Sequence, residues 1–197
     1  MNKLIKSDLM SLETYAENRA DYRSRVMAHK KSRQVALGPN ATLYFEDRIT
    51  MQYQIQEMLR IEKIFEADAI EEELASYNPM IPDGTNWKAT FMIEFGDETE
   101  RRKALARMIG VERRIWIQVG EFEKVFPVAN EDLERETEDK TSAVHFLRFE
   151  LTAAMIESAK SAKDINIGVE HEHYTHSTGP LPVAVVNSLA ADLDTLH

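Results

Sequence analysis

Val35-Ala36-Leu37-Gly38-Pro39-Asn40-Ala41-Thr42-Leu43-Tyr44-Phe45 holds two short β-prone runs on either side of Gly38-Pro39-Asn40. Valine, tyrosine and phenylalanine suit a pleated, half-buried surface. Glycine, proline and asparagine let a chain reverse within a few positions. A parallel crossover needs a dozen or more residues, and this link is far shorter. The two strands are therefore predicted to pair antiparallel.

The same logic extends downstream. Lys88 to Phe95, Ile115 to Val119, His145 to Leu151 and Ile165 to Val169 read as strands, and Phe122 to Val128 could continue a hairpin. Glu98 to Met108 reads as a short helix, Thr152 as the cap of another, and Pro182 to Leu193 as a closing helix. Upstream, Ser7 is the expected cap of a first helix, and a second carries Tyr22, Val26 and Met27. From about Thr50 to Tyr77 the chain is rich in Glu, Gln, Met, Leu and Ile and free of Gly and Pro, which predicts one long acidic helix ending before Asn78-Pro79. Helices and strands interleave, yet many strand pairs have hairpin-length links. The expected fold is α+β: a mixed, mainly antiparallel sheet packed with helices. A single domain is expected over 1–197, with an N-terminal helical portion, 1–33, and an α+β body, 34–197.

Composition bounds the function. The 197 residues are 43% hydrophobic and 29% charged, ordinary values for a chain with a real core. A net charge of −10 disfavours nonspecific binding to nucleic acid or an anionic membrane. With no cysteine, thiol catalysis, disulfides and thiolate-held clusters are excluded. The first residues, Met1-Asn2-Lys3-Leu4-Ile5-Lys6-Ser7-Asp8, carry no apolar signal segment, and no apolar run approaches a membrane span. A cytoplasmic location is the expectation. Gly-x-Gly-x-x-Gly, phosphate-loop and Gly-x-Ser-x-Gly patterns are absent, so dinucleotide, P-loop and α/β-hydrolase chemistry are poor fits.

Two features carry candidate chemistry. Glu170-His171-Glu172-His173-Tyr174-Thr175-His176 holds half of the six histidines. On an extended segment His171 and His173 would share a face, and His176 could join them after a turn. The spacing departs from the zinc-protease pattern His-Glu-x-x-His by one residue, and a solvated polar loop is the alternative. On an ideal helix Met51, Ile55, Met58, Phe65 and Ala69 form one stripe, with Glu62 in its middle and Glu66 and Glu73 at its margin. A carboxylate placed there must be paired, protonated or metal-bound. An ion pair from Glu62 to Arg25 or Arg148 is the plainer reading. Joined together, Glu62, Glu66, His145, His171, His173 and His176 would make a His/carboxylate pocket suited to Fe, Mn or Zn.

Charge is also segregated. Arg19 to Arg33 holds six basic residues against Asp21, while Glu57 to Glu73 holds seven acidic ones against Arg60 and Lys63. Packing of the basic segment near the acidic one, or simple solvated faces, is expected rather than a nucleic-acid patch.

Four segments carry a wider resemblance: Arg33 to Asn40, Gln54 to Glu62, Tyr77 to Gly84, and Lys140 to Glu150. With these the chain resembles a bacterial domain-of-unknown-function family, number 3501, over nearly its whole length. The resemblance transfers no active-site residue. It implies companions of the rubrerythrin-like or iron–sulfur kind, hence a redox or oxidative-stress setting. The expected function is a binding or accessory protein, with metal binding as one form of it. A metal-dependent enzyme using the His/Glu pocket and an interaction module without a site are the alternatives.

Overall fold

The hairpin at Gly38 forms as expected: β1 (Gln34–Ala36) and β2 (Ala41–Glu46) pair antiparallel, with Val35 opposite Leu43. Gly38 takes φ +75°, a left-handed conformation that glycine adopts without penalty. The structure is a computed structural model and describes residues 3–194.

β3 (Asn86–Ile93), β6 (Val144–Glu150) and β5 (Val128–Ala129) complete a five-stranded sheet in the order β1-β2-β3-β6-β5. β4 (Ile115–Val119), β7 (Ile165–His171) and β8 (Tyr174–Ser177) form a second sheet in the order β4-β7-β8. Every strand pair among the described residues is antiparallel, so the sheets are uniform rather than mixed.

Alternation along the strands sorts the side chains. Leu43, Phe45, Trp87, Ala89, Phe91, Leu147 and Phe149 point inward and share one core with Ile115, Ile117, Ile165 and Ile167 of the second sheet. Burial of each of the large aliphatic or aromatic side chains among them stabilises the fold by roughly 1.5–3 kcal/mol. α5 (Ala153–Lys160) and α6 (Val183–Ala190) close this core with Ile156, Val186 and Leu189. The Thr152 hydroxyl accepts from the Met155 amide at 3.3 Å, the cap expected from the sequence.

α4 (Glu98–Arg107) follows β3, and its Ala104 and Leu105 pack against this main core. α1 (Leu12–Lys30), α2 (Arg48–Glu62) and α3 (Ala67–Tyr77) lie against the opposite face of the large sheet and surround a second, smaller core of Leu4, Met51, Ile55, Leu59, Leu74 and Ile81. Two expectations need correction in this layer. The N-terminal portion holds one long helix rather than two: Ser11 caps it, accepting from Thr14, and Ser7 lies within a short 3-10 turn, Lys6–Asp8. The long helix near 50–77 is broken into α2 and α3. Lys63 is left-handed at φ +56°, and the Leu59 carbonyl accepts from both Lys63 and Ile64. This closure turns Ile64 into the second core. Partial burial of Ile64 opposes the roughly 1–2 kcal/mol that a non-glycine residue loses in that conformation.

Arg33, 2% exposed, ties the layers together. Its guanidinium donates to the Phe45 and Glu46 carbonyls at 3.0 and 3.1 Å, and to the Ser188 carbonyl and hydroxyl at 3.1 Å. It also pairs with Asp192 and, at 3.3 Å, with Asp47, which in turn meets His29 Nε2 at 2.5 Å. The basic and acidic segments also approach one another, with Arg19 bidentate to Glu57 at 2.8 and 2.7 Å. That pair, with help from the Tyr15 hydroxyl, holds the Glu57 carboxyl down at about 2.

Candidate functional site

The histidine-rich segment is a hairpin. Glu172 and His173 form the turn between β7 and β8, so His171 and His173 do not alternate along one strand. His171 Nε2 lies 3.0 Å from the Ile109 carbonyl, and its Nδ1 accepts from the His173 amide at 3.2 Å. His176 packs against Tyr174 at 4.6 Å between ring centroids, and its ring covers Gly38 so closely that a Cβ there would lie 2.5 Å away. The His171 and His176 rings thus have local structural uses, and the His173 side chain is exposed.

Glu62 and Glu66 are both exposed, because the break at Lys63 ends the ideal stripe that placed Glu62 inside it. Phe65, expected on the same buried stripe, is 71% exposed. Neither proposed arginine reaches Glu62: Arg25 lies over the Tyr22 ring, and Arg148 is bidentate to Glu131 at 2.8 Å. His145 is fully buried on the inner face of β6, whereas α2 and α3 pack on the outer face. The five-stranded sheet therefore separates Glu62 and Glu66 from His145 and from the second sheet that carries the histidine hairpin. The joined pocket is not assembled. Among the described residues no group of three or more His, Asp or Glu is placed to hold a metal ion.

His145 has three partners of its own. The Asn130 side-chain nitrogen lies 3.0 Å from Nδ1, while Thr141 Oγ1 and the Ser142 carbonyl each lie 3.0 Å from Nε2. Asn130 Oδ1 accepts from the Phe146 amide at 3.2 Å, which leaves its amide group facing the ring. That arrangement suits the neutral tautomer with its proton on Nε2. Burial holds the imidazole down at about 4.

A buried carboxylate escaped sequence reasoning. Glu112 is 0% exposed and its two oxygens accept no hydrogen bond from the described residues. Arg113 Nη2 lies 3.4 Å away but is shared with Glu136. Burial pushes the Glu112 carboxyl up. An acid held above its ordinary value costs stability once pH rises enough to ionise it. Glu112→Gln is therefore expected to stabilise the protein at pH 7 by about 1 kcal/mol, or roughly 2–4 °C in melting temperature. The gain should fade at acidic pH, where Glu112 is protonated. A lower melting temperature at pH 7 would show that the Arg113 contact outweighs the burial cost.

A concavity lies elsewhere. Between α1, α2 and α3 and the outer face of the large sheet is a cavity of about 780 Å³. Strand register lays its floor in rows: Glu46, Lys88 and Arg148, then Tyr44, Thr90 and Phe146. The helical side contributes Met27, Met51, Tyr77 and Met80. Most of its polar groups are already engaged. Thr90 and Thr50 hydroxyls donate to the two Glu46 oxygens at 2.7 and 2.6 Å. Lys88 Nζ donates to the Pro79 and Ile81 carbonyls at 2.7 and 3.0 Å, and burial pushes its ammonium down. The sequence carried a signal for this surface. Thr42-Tyr44-Glu46 and Lys88-Thr90-Met92 alternate with core residues, as on a face turned to water. Nothing in a linear sequence says that helices would roof it.

The family described as a protein of unknown function (DUF3501) matches residues 3–193. The crystal structure of a novel protein of unknown function from Burkholderia pseudomallei K96243 is similar, with 49% identity and a TM-score of 0.94. The match covers 98% of this chain and all of that one. No curated protein sequence matches.

Proposed function

The chain belongs to the DUF3501 family, and we propose that it is a binding protein for a small molecule, held between the helical layer and the outer face of the five-stranded sheet. The cavity carries this reading. Its volume, about 780 Å³, falls within the roughly 300–1,000 Å³ typical of small-molecule sites. Methionine and aromatic side chains supply apolar contact, and the row of Glu46, Lys88 and Arg148 supplies fixed polar groups. The Glu46 and Lys88 groups are held by hydrogen bonds, so a ligand would meet an ordered wall. An accessory role beside a rubrerythrin-like or iron–sulfur protein is one setting in which such a carrier would work.

Nile red, a neutral dye that brightens in apolar surroundings, tests the reading. Saturable binding at one dye per chain is expected. Met92→Trp combined with Val144→Phe enlarges two facing residues on the cavity floor. This variant should bind the dye at least about tenfold more weakly, with its circular dichroism unchanged. Val183→Ser removes an apolar side chain that is 71% exposed outside the cavity and should change nothing. Undiminished binding by the filled variant would place the dye elsewhere and overturn the proposal.

A further inference from the structure

We infer that the cavity selects an anionic ligand with an apolar body, recognised through its carboxylate- or phosphate-like head by Lys30 and Lys31. This inference rests on the small-molecule reading above and adds the ligand's charge. The charged groups lining the cavity are Lys30, Lys31, Lys88, Arg148, Glu46, Glu131 and Asp132. Most are matched within the protein. Arg148 is committed to Glu131 and Glu150, and Asp132 to Arg135. Glu46 and Lys88 are cross-strand neighbours whose opposite charges offset one another, each satisfied by hydrogen bonds.

Lys30 and Lys31 are left over. Among the described residues neither ammonium lies within ion-pair distance of a carboxylate, and Lys30 lies 5.7 Å over the Tyr53 ring. Both stand at the C-terminal end of α1, where the helix dipole favours a cation. The dipole accounts for basic residues at that helix end. It does not account for both of them lining the cavity. A surplus of positive charge is unexpected in a chain of net charge −10, whose overall field repels anions. Beside low-dielectric methionine and aromatic walls, two unmatched ammonium groups focus the local potential on anions. The basic run Arg19 to Arg33 thus acquires a use at its end: Arg19 and Arg33 hold the fold together, while Lys30 and Lys31 face the ligand space.

Displacement of Nile red by three amphiphiles of equal chain length, decanoate, decanamide and decylamine, tests the inference on the full-length protein. Decanoate is expected to compete about tenfold better than decanamide, and decylamine worst, given the modest strength of partly exposed ion contacts. Lys30→Gln combined with Lys31→Gln should erase the advantage of decanoate while leaving decanamide within about twofold. The advantage should also shrink at high salt. Equal competition by all three would leave the cavity reading standing and overturn the charge selection. Preference for decylamine would overturn it in favour of Glu46 as anchor. Failure of Nile red and of all three amphiphiles would overturn both readings.

Discussion

Replacing Arg33 with methionine is expected to remove about 3–5 kcal/mol of folding stability, a large share of the 5–15 kcal/mol that holds a typical domain. Arg33 is buried between Asp47 and Asp192 and fills four further acceptor positions at Phe45, Glu46 and Ser188. Methionine keeps much of the volume and removes the charge, which leaves the Asp192 carboxylate and the Phe45, Glu46 and Ser188 carbonyls without this donor, while Asp47 keeps His29 and the Thr50 amide. Burial, opposed by Arg33, already pushes the Asp192 carboxyl up to about 6. Without the guanidinium that carboxyl rises further, and an acid held above its unfolded value costs stability at any pH that ionises it. The deficit of the variant relative to the native protein should therefore be smaller at pH 5 than at pH 7. Urea unfolding at both values measures it. A loss below about 1 kcal/mol, or one equal at the two pH values, would mean that Asp47 and Asp192 do not depend on this arginine.

Acid should weaken the native protein through His145. Its imidazole is held at about 4, against about 6.5 in an unfolded chain. Between those values the unfolded state binds more protons, so stability rises with pH. The contribution is complete above about pH 6.5 and lost as pH falls through 4, and a shift of this size amounts to about 3 kcal/mol. Burial is the main cause, and the geometry agrees: protonation would place a second N–H on Nδ1, facing the Asn130 amide group at 3.0 Å. Other carboxyls titrate in the same window, so the comparison is with His145→Gln, which cannot take up that proton. The variant should be less stable at pH 7 and show a flatter profile between pH 4 and 6.5. Parallel profiles for the two proteins would remove His145 as the source of acid sensitivity.

Much of the fold was legible because local rules and packing agreed. The turn at Gly38, the strand from Ile115 to Val119 and the cap at Thr152 each rest on short-range chemistry, and each appears in place. The failures have the opposite character. No glycine or proline marks the end of α2, where Lys63 is left-handed and Ile64 packs, partly buried, against the second core. Once the helix was carried through that point, Glu62 and Phe65 were assigned to a buried face neither occupies. The histidine-rich run failed for a related reason: a two-residue turn at Glu172-His173 replaced the extended segment on which His171 and His173 would have faced the same way.

The sequence by itself determined the class of protein: an acidic, cysteine-free chain with antiparallel pairing, set by short links, turn residues and alternating strands. It also showed the segregation of basic and acidic segments and left open whether they meet or stay solvated; Arg19 and Glu57 do meet. Which charges end up matched was decided only by tertiary structure. Arg33 meets Asp192 across 159 positions of chain, and Lys30 and Lys31 are left facing a cavity. Such pairings depend on how sheet and helices stack, a long-range outcome of burying two hydrophobic cores at once. Residue types and their spacing record only which groups are available for it.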